Sequence, residues 1–313
     1  MTPPVPLRLG TRRSQLALAQ SRMVAADVTR ATGRPVELVE ITTYGDVSRE
    51  ALAQIGGTGV FVSALREALL DGRIDFAVHS LKDLPTAAPD GLMLAAVPTR
   101  EDPGDVLVAR GRRTLAELPA GSRIGTGSPR RMAQLRMLRP DLDVVAIRGN
   151  VDTRIAYVAC HELDAVVLAR AGLARHGRLD VVTDVLDPAR MLPAPGQGAL
   201  AIECRAAADA ASAELAALLG GLDDPLTRAA VTAERALLAA LEAGCSAPVG
   251  AYAEAAQDDE LLHLSAVAAC VDGSDNVRLS ATGPLAEAGL LGRHLAAEML
   301  AKGAAGLMGE RHS

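Results

Sequence analysis

Cys245 stands in the stretch Glu242-Ala243-Gly244-Cys245-Ser246-Ala247-Pro248-Val249-Gly250. A helical period from about Leu226 to Leu241 runs into it, and Gly244 offers the left-handed residue that ends helices. Pro248 and Gly250 keep the next residues irregular. The pattern predicts a thiol presented on a loop, where it can be catalytic, modified or metal-bound. The competing reading is the ordinary fate of free cysteine, which is burial as a small hydrophobe. A second constellation, His79-Ser80-Leu81-Lys82-Asp83-Leu84-Pro85, follows an apolar strand from Ile74 to Val78. A carboxylate at a strand end can give and take a proton and stabilise a developing cation. The competing reading is a surface ion pair, which contributes little. Only Lys82 and Lys302 are lysines among 32 basic residues, so Lys82 is not routine surface charge.

Three further turns follow expected strands and open helices: Gly10-Thr11-Arg12-Arg13-Ser14, Gly125-Thr126-Gly127-Ser128-Pro129-Arg130-Arg131, and Ile147-Arg148-Gly149-Asn150-Val151-Asp152-Thr153-Arg154. In the second, Ser128 suits the N-cap and Pro129 the first helical position. Helix N-termini with free N–H groups bind anions, and arginine forks grip carboxylates. One such turn is a weak signal. Three arginine-bearing turns at strand ends predict a ligand with several carboxylates or phosphates. No Walker pattern is present, and Gly125-Thr126-Gly127 does not complete a dinucleotide fingerprint.

The elements that must position these residues alternate. Strands are expected at Leu7 to Leu9, Val36 to Thr43, Ile74 to His79, Ser122 to Gly125, Val144 to Arg148 and Asp164 to Leu168. Helices are expected at Gln15 to Thr32, Val60 to Leu70, Pro129 to Leu138 and Thr153 to Ala159. That order predicts α/β architecture with mostly parallel sheets. Thr43 to Gly59 carries four glycines and reads as a loop. Pro98 to Gly104 and Met191 to Gly198 read as linkers. After Pro225, a helix, two alternating segments at Leu261 to Val267 and Val277 to Ala281, and a last helix from about Leu285 to Lys302 predict a small α/β domain with an antiparallel sheet.

With 313 residues, the chain is long enough for two or three domains. It has no Trp, two Phe, three Tyr and a net charge of −6, which argues against nucleic-acid binding. No Cys or His spacing suggests zinc, and no metal is expected. No apolar run reaches a membrane-spanning length and no signal peptide is visible, so a cytoplasmic protein without a membrane segment is expected.

Taken together, these motifs closely resemble the hydroxymethylbilane synthase, or porphobilinogen deaminase, family of tetrapyrrole biosynthesis. The resemblance also rests on Thr42-Thr43-Tyr44-Gly45-Asp46 and Pro195-Gly196-Gln197-Gly198-Ala199-Leu200, and it runs through almost the whole chain. It implies three domains. Residues 1–98 with 199–219 and residues 104–192 would form two lobes like those of type II periplasmic binding proteins, with a cleft between them. Residues 222–313 would form the small domain that carries Cys245.

The resemblance further implies a dipyrromethane cofactor held by Cys245 through a thioether. Onto it four porphobilinogens would be added, each with loss of ammonia, before hydrolysis releases the linear tetrapyrrole. Asp83 would be the catalytic carboxylate, stabilising cationic azafulvene-like species. Lys82, Thr126, Ser128, Arg130 and Arg131 would hold the cofactor. Arg12, Ser14, Arg148, Asn150 and Arg154 would bind substrate acids, with Phe61 and Gln197 as further contacts. A monomer is implied. The chain departs from the common pattern at Thr58, Gln15 and Gly127, where lysine, proline and serine are frequent; the last two are expected not to touch the chemistry.

Two rivals remain at this level. A polycarboxylate-binding module would use the same arginines without needing Cys245 or Asp83. A cysteine hydrolase would need a histidine partner, for which His79 is the only candidate.

Overall fold

A computed structural model describes residues 5–42, 62–87, 89–244, 247–256 and 260–308. The chain divides into two compact units, Met1–Arg100 with Ala199–Arg228 and Glu101–Gly198 with Ala229–Ser313.

The first unit is built on β1 (Leu7–Thr11), β2 (Val36–Glu40), β3 (Phe76–Ser80), β4 (Leu92–Ala96) and β10 (Leu200–Arg205), in the order β2-β1-β3-β10-β4. β1 pairs in parallel with β2 and β3, while β10 runs antiparallel to β3 and β4. Both sheet faces are apolar. On one, Leu7, Leu9, Phe76, Val78 and Ile202 pack against Val24 and Val28 of the helix Gln15–Thr32. On the other, Ile74 and Ala77 pack against Leu65 and Leu69 of the helix Ser63–Leu70. Gly33, at φ 68, closes the first helix by donating its N–H to Thr29.

The second unit repeats this plan. β5 (Asp105–Ala109), β6 (Arg123–Thr126), β7 (Asp143–Ala146), β8 (Ala165–Ala169) and β9 (Asp184–Leu186) run in the order β7-β6-β8-β5-β9. β6 is parallel to β7 and β8, and β5 is antiparallel to β8 and β9. The unit also holds an antiparallel sheet of β11 (Val249–Ala255), β12 (Leu261–Ala269) and β13 (Asn276–Pro284). Leu262 and Leu264 of that sheet share a core with Leu237 of the helix Pro225–Ala240, Leu241 just after it, and Leu295 and Met299 of another helix, Ala288–Ala301.

Three sequence expectations change. The large sheets are mixed, because β5 and β10, the first strand of each unit after a crossing, insert antiparallel. β4, β10 and the helix Ala210–Gly220 had not been read at all. And the helix Pro225–Ala240 is not ended by a left-handed Gly244. Glu242 takes that conformation at φ 52, with Ala243 N–H bonded to Leu238 and Glu242 N–H to Ala239. This is a Schellman closure with a non-glycine residue at its turn. The expected loop Thr43 to Gly59 lies outside the described residues, as does Thr58.

Candidate active site

In the first unit, parallel pairing puts the carboxyl ends of β1 and β3 at one sheet edge, where ligands of open α/β sheets bind. After β1 come Arg12 and Ser14; after β3 come Lys82 and Asp83. Ser14 caps the helix Gln15–Thr32, its hydroxyl accepting the Ala17 N–H. Arg12 is half-buried. Leu81 to Asp83 form one 3-10 turn. Leu81 is fully buried and donates its N–H to Ala199, and Leu84 is 5% exposed. Two buried leucines thus pin a turn whose Asp83 side chain is exposed and whose Lys82 is half-exposed.

His79 belongs to the core behind this turn. It is 7% exposed, with Nε2 3.4 Å from Glu203. Arg66 forks Glu203 at 2.9 to 3.1 Å. Burial pushes the Glu203 carboxyl up, but His79 and Arg66 together hold it below the usual range. His79 is therefore packed in the core beside the Arg66–Glu203 pair, which speaks against the hydrolase base weighed above.

In the second unit, the carboxyl ends of β6, β7 and β8 share an edge in the same way. Ser128 caps the helix Pro129–Leu138, with Pro129 in its first turn, as expected. The buried Thr126 hydroxyl accepts the Ser128 N–H at 3.2 Å. Asn150 caps the helix Val151–Ala159 through the Thr153 N–H at 2.9 Å. Arg148 is exposed in the turn between β7 and that helix. Arg154 folds back to donate from Nε to the Gly149 carbonyl at 2.8 Å. Burial first, and Arg131 nearby second, push the Arg154 guanidinium below its ordinary value. A bound anion would relieve both effects.

Arg130 and Arg131 are not open side chains. They are 3% and 5% exposed, and both grip Asp105, which is fully buried at the start of β5. Burial raises the Asp105 carboxyl, but the two arginines pull it well below the usual carboxylate range. Gln197 is more deeply buried still. It is 1% exposed and its amide donates to Pro103 and Asp105 at 2.6 and 2.8 Å, so it braces Asp105 from inside the unit. Thr126, at zero exposure, likewise acts on the local backbone. At Gly127, a Cβ would stand 3.7 Å from an Arg154 nitrogen and 2.6 Å from the Ile147 carbonyl oxygen. Cys245 and Phe61 lie outside the described residues.

Two residues were missed by the sequence reading. Asp105 stood at the edge of an expected linker; the available signal was an acidic residue heading the apolar run Val106 to Ala109. Arg175 closes a fourth arginine-bearing segment, Arg170–Arg175, after β8. It donates to the Gly198 carbonyl, its Nε is buried without a hydrogen-bond partner, and burial pushes its charge down while Glu101 supports it. The Nε of Arg130 is orphaned in the same way. The second unit thus holds orphaned guanidinium nitrogens on Arg130 and Arg175, and an Arg154 that is desolvated next to Arg131, donors of the kind that suit carboxylates.

Comparison with known proteins gives two family-model matches. Residues 7–213 match "Porphobilinogen deaminase, dipyromethane cofactor binding domain", and residues 228–301 match "Porphobilinogen deaminase, C-terminal domain". Porphobilinogen deaminase 1 of Streptomyces coelicolor is 66% identical, over 97% of this chain and 98% of its own. The Thermobifida fusca porphobilinogen deaminase is 57% identical, over 96% and 94%. That of Mycobacterium tuberculosis is 54% identical, over 98% and 100%. Among solved structures, the methionine binding protein MetQ aligns over 69% of this chain and 89% of its own, with a TM-score of 0.43 and 14% identity.

Proposed function

The chain belongs to the porphobilinogen deaminase family, and from that premise we propose how its own residues carry out the family's reaction. The activity is that of a transferase, hydroxymethylbilane synthase. It joins four porphobilinogens head to tail, losing ammonia each time, and releases the linear tetrapyrrole by hydrolysis. The family's dipyrromethane cofactor supplies a pyrrole with a free α-carbon to which each new unit is joined.

Cys245 is assigned as the point of attachment. Arg130, Arg131, Lys82 and Ser128 hold the cofactor's acid side chains, with Thr126 shaping the turn beneath them. Arg12, Ser14, Arg148, Asn150 and Arg154 bind the acids of incoming units. Asp83 would supply a carboxylate to accept from the pyrrole N–H groups. It offers negative charge where the ring system becomes cationic, and it takes up the proton released when the new ring regains aromaticity. Both roles need a carboxylate held still, and the turn between buried Leu81 and Leu84 supports that. Phe61 is assigned a place against the rings. The protein is proposed to act as a cytoplasmic monomer on this small substrate, without a nucleic-acid or membrane partner. Among the described residues, no helix is long and apolar enough to cross a membrane.

The observation that carries this reading is the buried Arg130–Asp105–Arg131 cluster with Arg154 near Arg131, in the unit whose parallel strands β6, β7 and β8 share a carboxyl edge. Three neighbouring arginines around a single carboxylate carry an excess of positive charge that suits a polyanion. The test is stoichiometry. Incubation with porphobilinogen should release one ammonia for each unit consumed and yield one linear tetrapyrrole for every four. Tight binding without ammonia release would point to a binding module instead.

A further inference from the structure

The helix Pro225–Ala240 buries an apolar stripe that includes Val231, Ala233, Leu237 and Leu238. Glu234 interrupts it and is itself fully buried. Its two oxygens are committed to different segments. Oε2 accepts the Gly196 N–H at 2.6 Å, and Oε1 accepts the Ala253 N–H at 2.9 Å. Ala251 of the same strand donates to the Pro193 carbonyl at 2.9 Å. One carboxylate therefore ties a helix, the strand β11 and the segment 193–198 together.

The helix and β11 are the two elements on either side of residues 241–248, the stretch that contains Cys245. The segment 193–198, in turn, is bonded on to the arginine platform. Arg130 and Gln134 donate to the Leu192 carbonyl at 2.6 and 2.9 Å, and Gln197 donates to Asp105. A continuous set of buried hydrogen bonds thus runs from the frame of the cysteine loop, through Glu234 and Gly196, to Asp105 and Arg130. A buried carboxylate is seldom the most stabilising choice on an apolar stripe, and its best-attested use is to fix register. An apolar residue could fill the space but could accept neither N–H.

We propose that Glu234 is a positioning residue: it holds the helix and β11, the two elements flanking residues 241–248, in register with the segment 193–198 and the arginines bonded to it, and so governs both loading of the cofactor and transfer onto it. This rests on the reading that Cys245 carries the dipyrromethane. Glu234 is fully buried, so its proposed effect passes through the segments it bonds. Gln at this site keeps the shape but has one acceptor oxygen and sets an NH2 against an N–H donor. Asp keeps both oxygens and loses reach.

The test uses the full chain of wild type, Glu234→Gln and Glu234→Asp. For each, an intact mass spectrum gives the fraction carrying the two-pyrrole adduct as purified, and the rate at which unloaded chain acquires it from added porphobilinogen. Circular dichroism and Tm report folding separately. For E234Q, loading and kcat per loaded chain should both fall about tenfold or more, as expected for a small misplacement of reacting groups, with KM for porphobilinogen little changed. E234D should recover part of both. Loading and kcat within twofold of wild type, whatever the Tm, would overturn the proposal and leave Glu234 a stability residue. If wild type itself never takes the adduct at Cys245, the cofactor assignment fails and this inference with it. Should the variants not fold, hydrogen exchange on wild type decides: the Gly196 and Ala253 amides should be protected and open together, and a Gly196 amide exchanging at a free-loop rate would overturn the clamp.

Discussion

Two arginines in the first turn of a helix oppose its dipole, and burying them side by side adds to the cost. Asp105 offsets both, accepting from Arg130 and Arg131 at 2.8 Å each. Asp105→Asn leaves two buried guanidiniums without their carboxylate, so we expect a loss of about 3–5 kcal/mol in urea unfolding. The pH dependence has a definite sign. The folded Asp105 carboxyl is depressed, so its contribution is complete above the unfolded value of about 4 and is lost only as pH falls toward the folded one. The Tm gap between wild type and D105N should therefore be constant from about pH 8 to 5 and shrink below about 4. A gap unchanged down to about pH 3 would refute the pairing. Asp83→Asn should act on chemistry and not on binding: kcat down by about 10²–10⁴ with KM within a few-fold, from steady-state kinetics.

At the scale of elements, what could be read in the sequence was what is local. Ser14, Ser128 and Asn150 each cap the helix that follows, so the arginine-bearing turns were visible from residue type and spacing alone. The partners of those turns were not. β10 lies 120 residues beyond β3 in the chain yet pairs with it, Ala201 facing His79, and no local period announces that. Asp105 was hidden for the same reason, since its value lies in arginines 25 and 26 residues away. The Glu242 turn shows the converse limit: glycine preference named Gly244, and hydrogen bonding of the last helical turn chose a residue two earlier. Gly198 is a position where the backbone does demand glycine. It sits at φ 89, and a Cβ would run into the Glu101 carbonyl oxygen. Gly198→Ala should cost about 2 kcal/mol or more in urea unfolding; a neutral result would mean the crossing segment relaxes freely.

At the scale of the molecule, two sheets of the same strand order each receive their antiparallel strand directly after a crossing, near Arg100 and near Gly198. The catalytic carboxylate proposed at Asp83 sits in one unit. The Arg130–Asp105–Arg131 cluster and the proposed attachment residue Cys245 belong to the other. Cys245→Ala should therefore abolish turnover and cofactor retention while leaving the Arg130–Asp105–Arg131 cluster and the fold intact, as judged by Tm. The most direct measurement is an intact mass spectrum of the purified, reduced protein, with peptide mapping. A covalent adduct of two porphobilinogen units less two ammonias, localised to Cys245, is the result expected. A chain that stays at its bare sequence mass after incubation with porphobilinogen or preformed hydroxymethylbilane would contradict it.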